Sequence, residues 1–269
     1  LQPYNFLGSD FLARIYPLFS SSKGNSTYIG SKTCGILIDA GVSYTRLVKA
    51  LSANDIDISA VKGVFITHEH SDHISGVKML TKKAGIPVFA QPYTLEGLFR
   101  SKAVYSWGED MTGSICIAGM EVKCFDTPHD ANESCGYRIT FENGKSCAVC
   151  TDLGYVTPDI EQALLGTDAV LLESNYDEAM LKNGPYPSYL KARIKSKFGH
   201  LSNSDSGKFA ERLVQNGTTR IILGHLSQEN NTPQTADNTV SGFLSEYKRN
   251  YDYILTVAPV ETAGCFTAF

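Results

Sequence analysis

Six residues in a row, His68-Glu69-His70-Ser71-Asp72-His73, hold three of the six histidines of this 269-residue chain. His68 and His70, two apart in an extended segment, point to the same side. Asp72 and His73 follow after a turn that can aim them at a neighbouring point. Imidazole suits zinc and other transition metals, whereas carboxylates bridge two ions or bind harder ones such as manganese. Further on, His129, Asp152 and His225 each follow an apolar run, where a strand end would present them. A chain of separate surface histidines does not account for so dense a cluster. The H-E-x-x-H arrangement of zinc proteases is excluded, because Asp72 stands where the second histidine belongs.

His200, the sixth histidine, lies in Gly199-His-Leu-Ser-Asn203, just before an expected helix from Asp205 to Asn216. Backbone N–H groups at such a helix start receive phosphate. His200 could then stabilise a phosphate oxyanion or protonate a leaving oxygen, with Ser202 and Asn203 beside it in contact with substrate. A helix-capping loop with an incidental histidine is the plainer alternative. Upstream, Lys191, Arg193, Lys195 and Lys197 would form two basic rows on a helix and could hold a nucleic-acid backbone. A solvated helix face explains them equally well. The stretch Ser20-Ser-Ser-Lys-Gly-Asn-Ser-Thr27 reads as a polar loop in which Ser21, Lys23 and Asn25 could meet a phosphate. It lacks the pattern of a nucleotide P-loop, and a tight turn between strands is the alternative.

The elements that must position these residues alternate between strands and helices. Strands are expected at 13–19, 35–39, 61–67, 87–90, 120–125, 137–141, 146–150, 169–173, 220–223 and 253–257. Helices are expected at 44–52, 75–84, 94–102, 205–216 and 238–249. Glu142-Asn-Gly-Lys145 is a hairpin turn signal. No linker interrupts the series, so residues 13–269 read as one domain, with 1–12 as an extension outside the fold.

Composition excludes the extremes: 42% of residues are hydrophobic, 19% charged, and the net charge is −4. Such a chain is neither fibrous, nor disordered, nor coated in positive charge, although a local basic groove remains compatible with it. Leu1 to Asp10 lack the features of a secretory signal, and no apolar run approaches the roughly 20 residues that span a bilayer. Seven cysteines scattered through apolar segments fit reduced thiols of a cytoplasmic protein. Cys147-Ala-Val-Cys150 matches C-x-x-C, but in a strand its two thiols would face opposite sides.

The ordered series His68, His70, Asp72, His73, His129, Asp152, His225 resembles the metallo-β-lactamase superfamily from about Ala13 onward. That resemblance implies an α/β fold of four layers, an αββα sandwich, with the site at one edge of two sheets. It implies His68, His70 and His129 on one metal ion, Asp72, His73 and His225 on a second, and Asp152 bridging both. The ions would be zinc or manganese, with iron also compatible. Flavodiiron members carry Glu where this chain has His70 and add a flavin domain for which there is no room. The inserted domain of β-CASP nucleases is absent, since only 73 positions separate Asp152 from His225. Ser20 to Ser26, Gly199 to Asn203 and Gly224-His-Leu-Ser227 are most similar to the bacterial YycJ/WalJ type, whose members are regarded as DNA-processing nucleases.

The expectation is therefore a dinuclear phosphodiesterase or exonuclease acting on DNA. Two divalent ions add four positive charges, Asp72 and Asp152 return two, and a bridging hydroxide leaves about +1, which favours an anionic substrate. That hydroxide would attack phosphorus, with Asp72 orienting it. Hydrolysis of a small ester, thioester or lactam on the same fold is the alternative enzyme reading, and an idle scaffold the non-enzymatic one.

Overall fold

Runs such as Gly35–Ile38, Val61–Phe65 and Ala169–Glu173 carry almost no polar residue, which suits strands covered on both faces. The computed structural model places them at the centre of two sheets. It describes residues 13–104, 108–111, 113–262, 264 and 266–269. The expected extension 1–12 and Cys265 lie outside the described residues.

In chain order the strands are β1 (Arg14–Ser21), β2 (Gly24–Gly30), β3 (Gly35–Ile38), β4 (Val61–Phe65), β5 (Val88–Ala90), β6 (Glu109–Asp110) and β7 (Ser114–Ile117). Then follow β8 (Met120–Asp126), β9 (Cys135–Phe141), β10 (Ser146–Cys150), β11 (Ala169–Glu173), β12 (Arg220–Gly224), β13 (Ile254–Val257) and β14 (Thr267–Ala268). The first sheet runs β14-β1-β2-β3-β4-β5-β6 and the second β13-β12-β11-β10-β9-β8-β7.

The helices are α1 (Tyr44–Ser52), α2 (Ser71–Ile74), α3 (Val77–Ala84), α4 (Pro92–Arg100), α5 (Pro158–Leu164), α6 (Glu178–Asn183), α7 (Ser188–Ile194), α8 (Asn203–Gln215) and α9 (Pro233–Phe243). Leu47, Leu51, Val77, Leu80 and Leu98 of α1, α3 and α4 pack on the outer face of the first sheet. Ile160, Leu164, Phe209, Leu213, Ala236 and Val240 of α5, α8 and α9 cover the second. Between the sheets Ile29, Ile36, Ile38 and Phe65 meet Val122, Tyr137, Ile139 and Val149. The result is the expected αββα sandwich. Cys147 faces this central layer and Cys150 the helix layer, so the C-x-x-C thiols are indeed on opposite faces.

Several boundaries differ from the sequence reading. The expected polar loop 20–27 is a hairpin, with Ser20 paired to Asn25 and Ser21 to Gly24. The helix expected at 75–84 is interrupted, because the Gly76 N–H turns to the Ala40 carbonyl. The last helix starts five residues earlier than expected and ends sooner. Thr232 caps it by accepting from the Thr235 N–H, and Pro233 fills its first turn, where no N–H is needed. Among the described residues no helix is long and apolar enough to cross a membrane.

Candidate metal centre

Strands β3 and β4 are parallel, as are β10, β11 and β12, and β8 runs with β10 because both are antiparallel to β9. Their carboxyl ends therefore share one edge of the sandwich. Asp39 follows β3, His68 follows β4, and Asp72 and His73 sit on α2. From the second sheet come His129 after β8, Asp152 after β10, Glu173 at the end of β11, and His225 after β12. His200 arrives from the loop between α7 and α8. Asp39, Asp152 and His225 have φ of 60°, 60° and 54°, a left-handed backbone uncommon outside glycine. Such turns bend each chain sharply at the strand end and aim its side chain into the edge.

Donor atoms within 4.8 Å of one another form overlapping groups: His68, His70 and His129; His68, His73 and Asp152; and Asp72, His73 and His225. All seven residues expected to hold metal thus lie in one cluster. The imidazoles are oriented from behind. His73 Nδ1 donates to Asp39 Oδ2 at 2.7 Å, and His129 Nδ1 to the Gly199 carbonyl at 3.1 Å. His225 Nδ1 donates to Glu173 Oε1 at 2.8 Å. Thr67 Oγ1 donates to Asp39 and so can accept from His68 Nδ1, 3.0 Å away. With Nδ1 engaged from behind, Nε2 of each ring is the nitrogen turned toward the shared centre.

The centre fits cations and little else. His68 Nε2, His225 Nε2 and Asp152 Oδ2 are buried without a hydrogen-bond partner, an arrangement that costs free energy unless another group satisfies it. Imidazole nitrogen and carboxylate oxygen are donors that divalent transition metals accept. Burial would raise Asp152, but His225, His73, His68 and His129 around it hold its carboxyl well below the usual range. Burial pushes His68 down and keeps it neutral. Burial would lower His73 too, but the Asp39 and Asp152 charges carry it up to about 10.

The fourth group, Asp152, Glu173, His200 and His225, shows what the sequence reading missed. Glu173 Oε1 accepts from Nδ1 of both His200, at 2.9 Å, and His225. Its Oε2 accepts from the Leu153 and Leu201 N–H groups. Burial would raise this carboxyl, yet the His200 and His225 contacts bring it to about 2. Its acceptors are thereby saturated, so Glu173 orients two imidazoles rather than offering itself to an ion. Asp39 was overlooked in the same way. Both are acidic residues ending an apolar strand, the signal that identified Asp152. Asp130 was missed as well; its Oδ1 lies 3.4 Å from His129 Nε2 and its Oδ2 pairs with Arg193.

The remaining expected contacts divide. The Asn25 amide is 3.1 Å from His73 Nε2 and 3.4 Å from Asp72 Oδ2, so it addresses the ligand atoms themselves. Ser21 is buried, its N–H donating to Asn25 Oδ1, while Lys23 is exposed in the hairpin turn. Ser202 is the cap of α8: its hydroxyl accepts from the Asp205 N–H and donates to the Asp205 carboxylate. Asn203 is fully buried, its Oδ1 accepting from Ser174 and Asn231 and its Nδ2 donating to Asn231. Both side chains are thus engaged within the protein. Of the two basic rows, Lys191 and Lys195 stay one turn apart at the end of α7, whereas Lys197 lies beyond the helix and forms no row with Arg193. Lys191 Nζ donates to the Lys182 and Gly184 carbonyls, and only Lys195 and Lys197 extend freely from the end of the helix.

Comparison with known proteins agrees with this geometry. Residues 35–226 match the family model of the β-lactamase superfamily domain. The chain is 35% identical over 237 residues to an exodeoxyribonuclease YycJ of Bacillus anthracis, covering 85% of this chain and 88% of that protein. It is 34% identical to an exodeoxyribonuclease WalJ of Streptococcus pneumoniae, covering 85% and 87% respectively. The crystal structure of the metallo-β-lactamase fold protein YhfI from Bacillus subtilis superposes with a TM-score of 0.72 at 13% identity, covering 96% of this chain and all of that one, a likeness of fold. With the ordered cluster at the edge of an αββα sandwich, these matches show that the chain belongs to the metallo-β-lactamase superfamily and is of the YycJ type.

Proposed function

We propose that this protein is a dinuclear metal-dependent phosphodiesterase that removes nucleotides from the end of a DNA strand. The observation that carries the reading is His200. Its ring is held by Glu173 through Nδ1, remains 19% exposed, and stands beside the ligand cluster, with centroids 5.2 Å from His129 and 5.3 Å from His225. An imidazole so placed has its Nε2 available for a reacting group rather than for the fold. The names of the two relatives above support DNA as the substrate.

His68, His70 and His129 would hold one ion, Asp72, His73 and His225 the other, and Asp152 both. Divalent ions held there would supply positive charge opposite a phosphate and lower the pKa of water toward ~7. The rest of the chemistry falls to the chain. The Asp72 side chain, 23% exposed where that of Asp152 is 3%, faces the open side and orients the attacking water. His200 delivers a proton from Nε2 to the leaving oxygen, and Glu173 stabilises the positive charge that the ring carries beforehand. Buried walls around His68, His73 and Asp152 exclude bulk water and strengthen each of these contacts.

The test is His200→Ala assayed on end-labelled DNA and bis-p-nitrophenyl phosphate, beside thioester and β-lactam substrates. Turnover of the phosphodiesters should fall about 10²- to 10⁴-fold while the metal content stays at the wild-type value. Unchanged turnover would remove His200 from the reaction, and cleavage of the thioester or lactam alone would overturn the phosphodiesterase reading.

A further inference from the structure

Arg193, near the end of α7, is tied to the metal centre by three contacts. Its Nε donates to Asp130 Oδ2 at 2.5 Å, and Asp130 Oδ1 lies 3.4 Å from His129 Nε2. One carboxylate therefore separates the guanidinium from a ligand atom. The main chain of Arg193 lies against Gly199, where a Cβ would come within 2.3 Å of the Arg193 carbonyl oxygen, and the Gly199 carbonyl accepts from His129 Nδ1. The next residue, Ile194, accepts from the His200 N–H at 2.9 Å. Arg193 is thus fixed beside both His129 and His200.

The guanidinium is only partly engaged. Asp130 takes Nε, and among the described residues no acceptor bonds to Nη1 or Nη2, in a side chain that is 54% exposed. A fork with one edge on a carboxylate and the other in water can receive two oxygens of a phosphate. Lys191, two residues earlier, shows the contrast, because its Nζ is taken up by the Lys182 and Gly184 carbonyls. Exposed ion pairs add little stability, so a staple between α7 and the loop of His129 is a weak reason for this placing. A phosphate at the ligand cluster would be the one cut. Arg193, a carboxylate's width from His129, is placed for the next one along the strand.

We infer that Arg193 is a specificity residue: Nη1 and Nη2 hold the phosphate next to the one cleaved, and Asp130 aims the guanidinium at it. The inference rests on the DNA phosphodiesterase reading and adds the feature by which the site tells a polynucleotide from a small diester. A diester with a single phosphate reaches the ligand cluster and leaves Arg193 without a partner. DNA engages both.

Steady-state kinetics on whole protein compare end-labelled DNA with bis-p-nitrophenyl phosphate, which has no second phosphate. Arg193→Gln should raise KM for DNA about tenfold or more, and kcat/KM should fall at least about tenfold further on DNA than on the small diester. Arg193→Lys, which keeps the charge without the fork, should recover part of the loss. Thermal melts and metal content should show each variant folded and loaded. DNA with an uncharged methylphosphonate on one side or the other of the cleaved bond should cost wild-type protein a similar factor at one of the two positions, and cost Arg193→Gln nothing further there. Equal losses on DNA and the small diester, as a mere staple predicts, or additive losses at both methylphosphonate positions, would overturn the inference. A second measurement uses chelator, so that no cleavage occurs, and reads binding of fluorescein-labelled DNA by anisotropy at several salt concentrations. Arg193→Gln should lower the salt slope by about one unit and Lys191→Gln should leave it in place. An unchanged slope in Arg193→Gln would likewise overturn the inference. Wild-type inertness toward both phosphodiesters would count against the phosphodiesterase reading, while the chelated binding experiment still judges Arg193.

Discussion

Glu173 illustrates how one buried carboxylate can orient two imidazoles at once. Its Oε1 receives both His200 and His225, and its Oε2 is fixed by two backbone N–H groups. In Glu173→Gln, the amide cannot accept four such hydrogen bonds, so one imidazole loses its orientation. The expected outcome is a fall of roughly 10²-fold or more in kcat at saturating metal, with metal affinity reduced about 10- to 100-fold. Steady-state kinetics across a metal titration separate the two effects. At this scale the sequence is legible where donors are neighbours in the chain. His68, His70, Asp72 and His73 announce themselves by spacing within one loop. Asp39 and Glu173 do not, because their partners His73, His200 and His225 lie 27 to 52 positions away and meet them only through strand pairing.

At the scale of elements, the turn that ends α7 and the cap that starts α9 govern more than their own backbone. Gly199 folds back on α7 so closely that a Cβ would come within 2.2 Å of the Ile194 carbonyl oxygen and 2.3 Å of that of Arg193. Gly199→Ala should therefore cost about 1–3 kcal/mol by overpacking. It should also lower turnover, because Gly199 holds His129 and precedes His200. Equilibrium urea unfolding and kcat read the two parts. Thr232→Ala removes the acceptor for the Thr235 N–H and should cost about 1 kcal/mol in the same unfolding experiment, with turnover unchanged. That cap also explains why the last helix was misplaced by the sequence reading. Thr232-Pro233 is a strong local start signal, whereas the apolar spacing from residue 238 onward continues past the point where the chain must turn into β13. Short pieces such as β6, β7, β14, α5 and α6 escaped for a different reason. Each is too short for periodicity to register, and packing supplies the structure that propensity alone does not.

For the whole molecule, the series of strands and helices was readable from apolar runs and turn signals, whereas the four-layer sandwich followed from the resemblance that the ordered series His68 to His225 carries. Both sheets then contribute to one centre: the first supplies His68, His70, Asp72 and His73, the second His129, Asp152 and His225. Ions bound there would link the sheets, and removing them would leave buried donors unsatisfied. A chelator should therefore lower Tm by about 5 °C or more, the shift expected when a ligand present at about 100 times its Kd is withdrawn from a domain of this size. Restoring zinc or manganese should recover the higher Tm in calorimetry. An unchanged Tm would count against a metal centre spanning the two sheets.

The same division of ligands fixes a timetable during synthesis. A ribosome delivers the loop around His73 about 150 residues before His225, an interval of roughly 8 to 30 s at ordinary elongation speeds. During it His129 and then Asp152 join the early histidines, and His225 is still unmade. The complete chelate can close only once the strand carrying His225 has emerged and docked. Assembly of the centre is thus a late event in the life of each nascent chain.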